Sequence, residues 1–190
     1  MNREQLEHAI RAACDVANED VVIVFGSQAI LGSHPDASDR LRQSMEVDIA
    51  PGSNDPHVAD RIDGALGEDS AFNAAHGFYV HGLTMEPALF PAGWERRTVA
   101  VHGRGASRGI GLCIEAHDLA ASKLAAFRDK DRDFVRTLLV ERLVNARKLR
   151  LRVQQLGRSR IPADRLLRWL DATVREIYDD PAAGVESERP

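Results

Sequence analysis

The sequence that decides the fold reads VVIVFGSQA over residues 21–29 and SMEVDIA over residues 44–50. The first segment is a continuous run of β-branched and aromatic residues, which predicts a strand buried on both faces, and Gly26 then turns the chain. The second segment alternates between apolar and polar residues, which is the period of a strand, and it places Glu46 and Asp48 on the polar face. An apolar strand therefore runs into Gly-Ser, and a later strand carries two carboxylates.

These two segments together predict a metal-dependent nucleotide-transfer site. Residues i and i+2 of a strand point the same way with Cα atoms roughly 6.5–7 Å apart, so Glu46 and Asp48 can converge on one cation. Two carboxylates suit Mg²⁺, which proteins hold with one or two acids plus substrate phosphates. Gly26 allows a backbone to approach a triphosphate closely, and Ser27 adds a hydroxyl donor. Either motif alone is common in ordinary strands and turns.

The rest of the chain predicts helices around these strands. Amphipathic spacing predicts helices over residues 3–17 and 56–67, and further strands are predicted at 78–83, 97–102 and 112–114. Asp118 and Asp131 are predicted as N-caps of two later helices, and Pro162 as the start of a last one through Tyr178. This order of elements predicts an α+β or α/β domain with a C-terminal helical part.

Composition indicates a cytoplasmic protein. The length of 190 residues fits one domain, or one domain with a helical appendage, the hydrophobic fraction of 44% allows a core, and the formal net charge is −4. Cys14 and Cys113 stand far apart, which favours a reduced compartment and two core thiols. The N-terminus lacks an apolar signal core, and no stretch approaches the ~20 apolar residues of a spanning helix. No membrane partner is therefore expected.

A third segment, HDLAASKLAAFRDKDRDFV over residues 117–135, adds a lysine in an apolar helix and a later Lys-Asp step. With the two strand motifs and the LFPAGW turn over residues 89–94, it makes residues 20–140 resemble the AbiEii and MenT-like nucleotidyltransferase toxins. These belong to the DNA polymerase β-type nucleotidyltransferase superfamily. The resemblance implies a nucleotidyltransferase-like mixed sheet flanked by helices, with a C-terminal helical extension.

The resemblance also implies a role for each matching residue. The implied roles are metal binding by Glu46 and Asp48, nucleotide binding by Gly26, Ser27 and Lys123, and catalysis by Ser44, Lys123 and Asp131. Glu46 departs from the aspartate usual at this place in these toxins. Two local alternatives stay open: Lys123 as a snorkelling lysine, and Asp131 as a helix cap.

The implied organisation is a nucleotidyltransferase-like domain over residues 1–140, a basic helical extension over 141–180 and a disordered tail over 181–190. Between Arg142 and Arg168 stand nine basic residues and one acid, Asp164. Such a segment is either a surface that follows a phosphate backbone or a solvated helix face.

The resemblance implies a toxin of a toxin–antitoxin system that transfers a nucleotide from a nucleoside triphosphate (NTP) to tRNA 3′ ends and blocks translation. A cognate antitoxin protein is a possible partner on this interpretation. The alternatives are transfer to a protein or a small molecule, and a non-catalytic relative.

A glycine motif over residues 105–111 mimics the loop of short-chain dehydrogenases. That loop must lie between the first strand and a helix whose N-terminus holds a pyrophosphate. Here it lies mid-chain before a strand-like segment, which argues against a dehydrogenase and for a loop or hairpin connection.

Overall fold

The computed structural model describes residues 1–86, 88–103, 109–157 and 159–179. The predicted tail over residues 181–190 lies outside these ranges, and so does most of the glycine motif. The strands are β1 (Val21–Phe25), β2 (Glu46–Pro51), β3 (Tyr79–Gly82), β4 (Val99–His102) and β5 (Ile110–Cys113). The helices are α1 (Arg3–Ala17), α2 (Ile30–Ser33), α3 (Pro56–Leu66), α4 (Ala71–His76), α5 (Ala116–Ala126), α6 (Asp129–Val140), α7 (Ala146–Gln154) and α8 (Ala163–Asp179).

The chain divides into two compact units. The sheet unit comprises Met1–Ala88 and Gly93–Leu119, and the helical unit comprises Leu89–Ala92 and the chain from Ala120 onward. The chain passes from one unit to the other within α5. The division at residue 140 that the sequence predicts stays a prediction.

The sheet unit is built on a mixed five-stranded sheet in the order β3-β2-β1-β5-β4. β1 pairs antiparallel with β2 and parallel with β5, while β2 pairs parallel with β3. The apolar run of β1 thus lies at the centre of the sheet, where a strand has neighbours on both edges. The polar alternation of β2 lies one strand away from it.

Helices α1 and α3 pack on this sheet and on each other. Asn2 caps α1 by accepting the N–H of Gln5, and the apolar face of α1 is buried at Leu6 and Ile10. Asp55 caps α3, which has Pro56 at its first position, a place where a missing N–H costs nothing. The amphipathic spacing and the caps therefore place both helices as predicted.

Both cysteines are buried, which confirms the prediction of core thiols. Burial raises the pKa of Cys14 to about 11 and that of Cys113 to about 12. Both side chains therefore stay neutral at physiological pH.

The helical unit has its own apolar core. α8 packs against α6 and α7, and the core leucines and valines are Leu124, Val135, Leu138, Leu139, Leu149, Val153, Leu166 and Leu170. The short segment over residues 89–92 belongs here because Pro91 bridges to Leu156 and the Ala92 N–H donates to the Gln155 carbonyl at 3.0 Å.

The predicted α+β fold, with a mixed sheet flanked by helices and a helical C-terminal part, is confirmed. Two local predictions need correction. The strand predicted at 97–102 begins at Val99, because Trp94–Arg97 forms a 3₁₀ turn. Helix α4 was not predicted: it has six residues, too few to show an apolar period, although Ser70 caps its start and Gly77 ends it.

Candidate active site

The register of the sheet brings the two predicted motifs to one place. Phe25, the last residue of β1, pairs with Asp48. Gly26 therefore follows directly after the residue that is paired with the second acid. On the other side of β2, Glu46 pairs with Tyr79 and Asp48 pairs with His81 of β3. Both acids therefore share one face of the sheet with two polar residues of β3.

The alternation of β2 works as the sequence predicts. Val47 and Ile49 are fully buried, whereas Glu46 and Asp48 are partly exposed. The apolar residues thus anchor the strand in the core, while the two carboxylates keep access to solvent. A charged ligand can approach the acids without entering the core.

Gly26 connects the two motifs. Its backbone has φ +65° and ψ −169°, a region that is essentially open to glycine alone. A Cβ at this position would lie 1.8 Å from Oδ2 of Asp48. Any other residue would therefore displace the second acid, and the two motifs form one structural element.

His81 and Tyr79 complete this group. Nδ1 of His81 lies 3.0 Å from Oε1 of Glu46 and 3.4 Å from Oδ1 of Asp48. The Tyr79 hydroxyl donates to Oε2 of Glu46 at 3.3 Å. Burial raises the pKa of Tyr79, and the negative charge of Glu46 raises it further, so its hydroxyl keeps its proton and remains a donor. We call Glu46, Asp48, Tyr79 and His81 the β2–β3 cluster.

Sequence reasoning missed His81. No spacing along the chain marks His81 as a ligand, because it meets the acids only through the pairing of β2 with β3. A signal did exist, because Tyr79 and His81 alternate with buried Val80 and Gly82 in a predicted strand. Placing them beside Glu46 and Asp48 required knowing that β3 is the neighbour of β2.

Ser44 lies just before β2 and serves the backbone of Glu46. Its hydroxyl donates to the Glu46 carbonyl and accepts the Glu46 N–H, both at 3.1 Å. These contacts hold the residue that carries the first acid. Ser27 is the first residue of a 3₁₀ turn over Ser27–Ala29. The catalytic role of Ser44 and the nucleotide-binding role of Ser27 stay predictions.

Lys123 and Asp131 form a separate group in the helical unit. Lys123 Nζ lies 3.5 Å from Oδ1 of Asp131 and 5.5 Å from the centre of the Phe134 ring. Arg128 donates to Asp131 from Nε at 2.6 Å and from Nη2 at 3.2 Å. Burial opposes ionisation of Asp131, but the hydrogen bonds from Arg128 and the charge of Lys123 outweigh it and lower its pKa. We call these three residues the Asp131 cluster.

Two predicted helix caps are wrong. Helix α6 begins at Asp129 with Arg128 as its cap, so Asp131 lies inside the first turn, where its side chain accepts the Arg128 N–H at 3.3 Å. Helix α5 begins at Ala116, where the Glu115 side chain accepts the His117 N–H. Asp118 instead accepts two hydrogen bonds from Arg97, at 2.7 and 3.1 Å, and is fully buried. Both helices therefore begin earlier than the sequence predicts.

The β2–β3 cluster has the donors of a cation site. One ligand atom each from Glu46, Asp48 and His81 can be chosen so that all three lie within 4.8 Å of one another. Carboxylate oxygens and an imidazole nitrogen are ordinary ligands of divalent ions. The Asp48 carboxylate lies so close to Gly26 that a Cβ there would clash with it, so glycine is what lets Asp48 take this position. The residues present therefore fit a divalent cation, as the sequence predicts for Glu46 and Asp48.

The charge of the helical unit is partly compensated. Arg150 pairs with Asp171 at 2.6 Å, so an acid beyond residue 168 balances part of the basic run. Arg136, which precedes that run, pairs with Glu176 at 2.8 Å. Several basic residues are nonetheless exposed: Arg142, Arg147, Lys148, Arg160, Arg165 and Arg168.

Among residues 1–86, 88–103, 109–157 and 159–179, none of the helices combines the length and the apolar character that a membrane span requires.

With this fold and this site, the chain is a nucleotidyltransferase by family. Residues 4–175 match the family described as "Nucleotidyltransferase of unknown function (DUF6036)", and the chain belongs to that family. The match covers both units, so the superfamily that the strand motifs predict is confirmed. No curated protein and no solved structure matches the sequence.

Proposed function

We propose that the protein is a divalent-metal-dependent nucleotidyltransferase that transfers a nucleotide from an NTP and releases pyrophosphate. The convergence of Gly26, Glu46 and Asp48 at one end of β1 and β2 carries this proposal. Two carboxylates two residues apart repel each other unless a cation lies between them. Their partial exposure on one face of a strand leaves both of them accessible to a ligand of positive charge.

The chemistry follows from the residues of this edge. An acceptor hydroxyl attacks the α-phosphorus and gives up its proton to solvent, a new P–O bond forms, and the bond to the bridging oxygen of the β-phosphate breaks as pyrophosphate leaves. A bound divalent ion neutralises charge that develops on the phosphate oxygens. Glu46 and Asp48 would hold such an ion, and Ser44 fixes the Glu46 backbone through two hydrogen bonds. Gly26 allows the Asp48 carboxylate to lie directly against the backbone at the end of β1.

The proposed acceptor is the 3′ end of tRNA, with growth arrest through blocked translation as the outcome and a cognate antitoxin as the regulator. The exposed basic residues of the helical unit support a polyanionic acceptor. The Phe127 ring supports the same interpretation, because the guanidinium carbons of Arg132 and Arg165 lie 5.0 and 5.3 Å from its centre. Aromatic rings with neighbouring arginines are common contacts for unpaired nucleotides.

The test is incorporation of label from each of the four NTPs, labelled at the α-phosphate, into total tRNA. The wild-type protein should label tRNA in the presence of a divalent ion, and Asp48→Asn should not. Asp60→Asn is the matched control, because Asp60 is an exposed acid on α3 outside the site. If the folded wild-type protein labels a protein or an aminoglycoside but no RNA, the nucleotide-transfer reaction stands and tRNA is not its acceptor.

A non-catalytic relative is the second candidate, because His81 already lies between the two acids. A protonated imidazole at this place would neutralise part of their charge without any metal. Calorimetric titration of a divalent ion in the presence of an NTP separates the two candidates. Absence of binding by the folded protein would favour the non-catalytic relative.

A further inference from the structure

His81 changes the chemistry of the cation site that the acids define. The parallel pairing of β2 with β3 places His81 directly beside Asp48. Its Nδ1 atom faces Oε1 of Glu46 and Oδ1 of Asp48 at 3.0 and 3.4 Å. One imidazole nitrogen therefore approaches both carboxylates, as a third ligand of a shared cation would.

The other oxygens of the two acids are directed elsewhere. Oε2 of Glu46 accepts a hydrogen bond from Tyr79, and Oδ2 of Asp48 lies against Gly26. The geometry thus leaves one oxygen of each acid facing the imidazole nitrogen. The β2–β3 cluster consequently offers a three-atom set of two oxygens and one nitrogen.

Such a set does not suit Mg²⁺ best. Mg²⁺ prefers oxygen ligands and gives up its water reluctantly, whereas first-row transition ions accept imidazole nitrogen readily. We propose that His81 is a direct metal ligand and that this site holds a divalent first-row transition ion in preference to Mg²⁺, with Mn²⁺ as the ion that probes it. This inference rests on the proposed function, since it names the ion used at the same site, and it replaces the Mg²⁺ that the two carboxylates alone predict.

The experiment measures metal binding directly, without any assay of activity. Purified full-length protein is titrated with Mn²⁺ by electron paramagnetic resonance, and Mg²⁺ is then added as competitor. We expect the wild type to bind Mn²⁺ at least about tenfold more tightly than Mg²⁺. Pulsed measurements on the Mn²⁺-loaded protein should show the nitrogen hyperfine coupling of one directly bound imidazole.

The variants distinguish a His81 that binds the ion directly from one that only lies near it. His81→Asp restores an all-oxygen set, so it should keep metal binding, lose the nitrogen coupling and reduce the preference for Mn²⁺ at least about tenfold. His81→Asn should lose the coupling and weaken Mn²⁺ binding. His57→Gln is the control, because His57 is exposed at the start of α3 outside the cluster, and it should match the wild type in every readout.

Two results would overturn the inference in distinguishable ways. Wild-type protein that binds Mn²⁺ without nitrogen coupling, and with the same preference as His81→Asp, would remove His81 as a ligand while leaving the proposed function intact. Wild-type protein that binds neither ion, even with an NTP present, would overturn the inference together with the proposed function. Because the coupling is measured on the wild type, the test does not depend on the folding of any variant.

Discussion

The β2–β3 cluster and the Asp131 cluster both combine carboxylates with cationic side chains, but with opposite balances. In the first, two carboxylates that are 37% and 24% exposed face one imidazole. In the second, one fully buried carboxylate faces both Lys123 and Arg128. The first places one imidazole beside two carboxylates and is open to solvent, while the second places two cations beside one buried carboxylate. An open pair of acids is accessible to a charged ligand, whereas a buried acid between two cations is held in an ion pair, and this difference can be tested.

The largest effect is expected from removing one acid of the β2–β3 cluster. Asp48→Asn should lower nucleotide transfer by about 100-fold or more, because it removes a ligand of the ion that stabilises charge on the phosphate. Its free energy of unfolding should stay within about 0.5 kcal/mol of the wild type, since the residue is partly exposed and repelled by Glu46. Transfer assays and urea unfolding measure the two quantities. Equal activity in Asp48→Asn and the Asp60→Asn control would show that the β2–β3 cluster takes no part in the reaction.

The contact between Gly26 and Asp48 is tested by a pair of glycine substitutions. Gly26→Ala should lower the free energy of unfolding by about 3 kcal/mol, because backbone strain adds to a clash with Oδ2 of Asp48. Gly77→Ala is the matched control: Gly77 has φ +72° but nothing within 4 Å of an added Cβ, so about 1 kcal/mol of strain is expected there. Chemical denaturation measures both. Similar losses in the two variants would mean that the backbone alone, and not Asp48, requires glycine.

A substitution in the Asp131 cluster should mainly lower the free energy of unfolding. Asp131→Asn leaves Lys123 and Arg128 without their shared acceptor and should lower the free energy of unfolding by about 2 kcal/mol, less than for a fully buried pair because Arg128 is exposed. The pKa of Asp131 is lowered in the folded protein. Its contribution is therefore complete above the unfolded value near 4 and is lost as the pH falls through the lower folded value.

Unfolding of the wild type and Asp131→Asn from pH 7 to pH 3 checks this sign. The difference between the two proteins should stay constant down to about pH 5 and shrink below about pH 4. An unchanged stability accompanied by a complete loss of activity would instead favour the predicted role of Asp131 as a site acid.

The smallest effect concerns the exposed arginines of the helical unit. Replacing Arg165 and Arg168 by glutamine should weaken tRNA binding several-fold and reduce the salt dependence by about 0.9 per lost phosphate contact. Arg40→Gln, at an exposed arginine of the sheet unit, is the control. Filter binding at several salt concentrations gives the slopes. Identical slopes in the wild type, the variant with both arginines replaced and Arg40→Gln would show that Arg165 and Arg168 do not contact the acceptor.

The strand motifs were sufficient to predict much of the fold and the central pair of acids. Apolar β1, alternating β2 and the amphipathic faces of α1 and α3 are local patterns, and local patterns are readable from sequence. His81 was missed because its meeting with Glu46 and Asp48 depends on strand order, which no local pattern encodes. The sequence predicts Asp131 as a helix cap or a site acid. Its burial beside Arg128 and Lys123 depends on the start of α6 at Asp129 and on side-chain packing, which the local sequence does not encode.

The central claim is that Gly26, Glu46 and Asp48 form a metal-dependent nucleotide-transfer site. The most direct measurement is covalent transfer of label from α-phosphate-labelled NTPs to tRNA by wild-type protein and by Asp48→Asn, both with Mn²⁺ present. The account predicts labelled tRNA with the wild type and a decrease of about 100-fold or more with a folded Asp48→Asn. Equal labelling by both proteins, or no labelling of any acceptor by a wild type that binds the ion and the nucleotide, would contradict it.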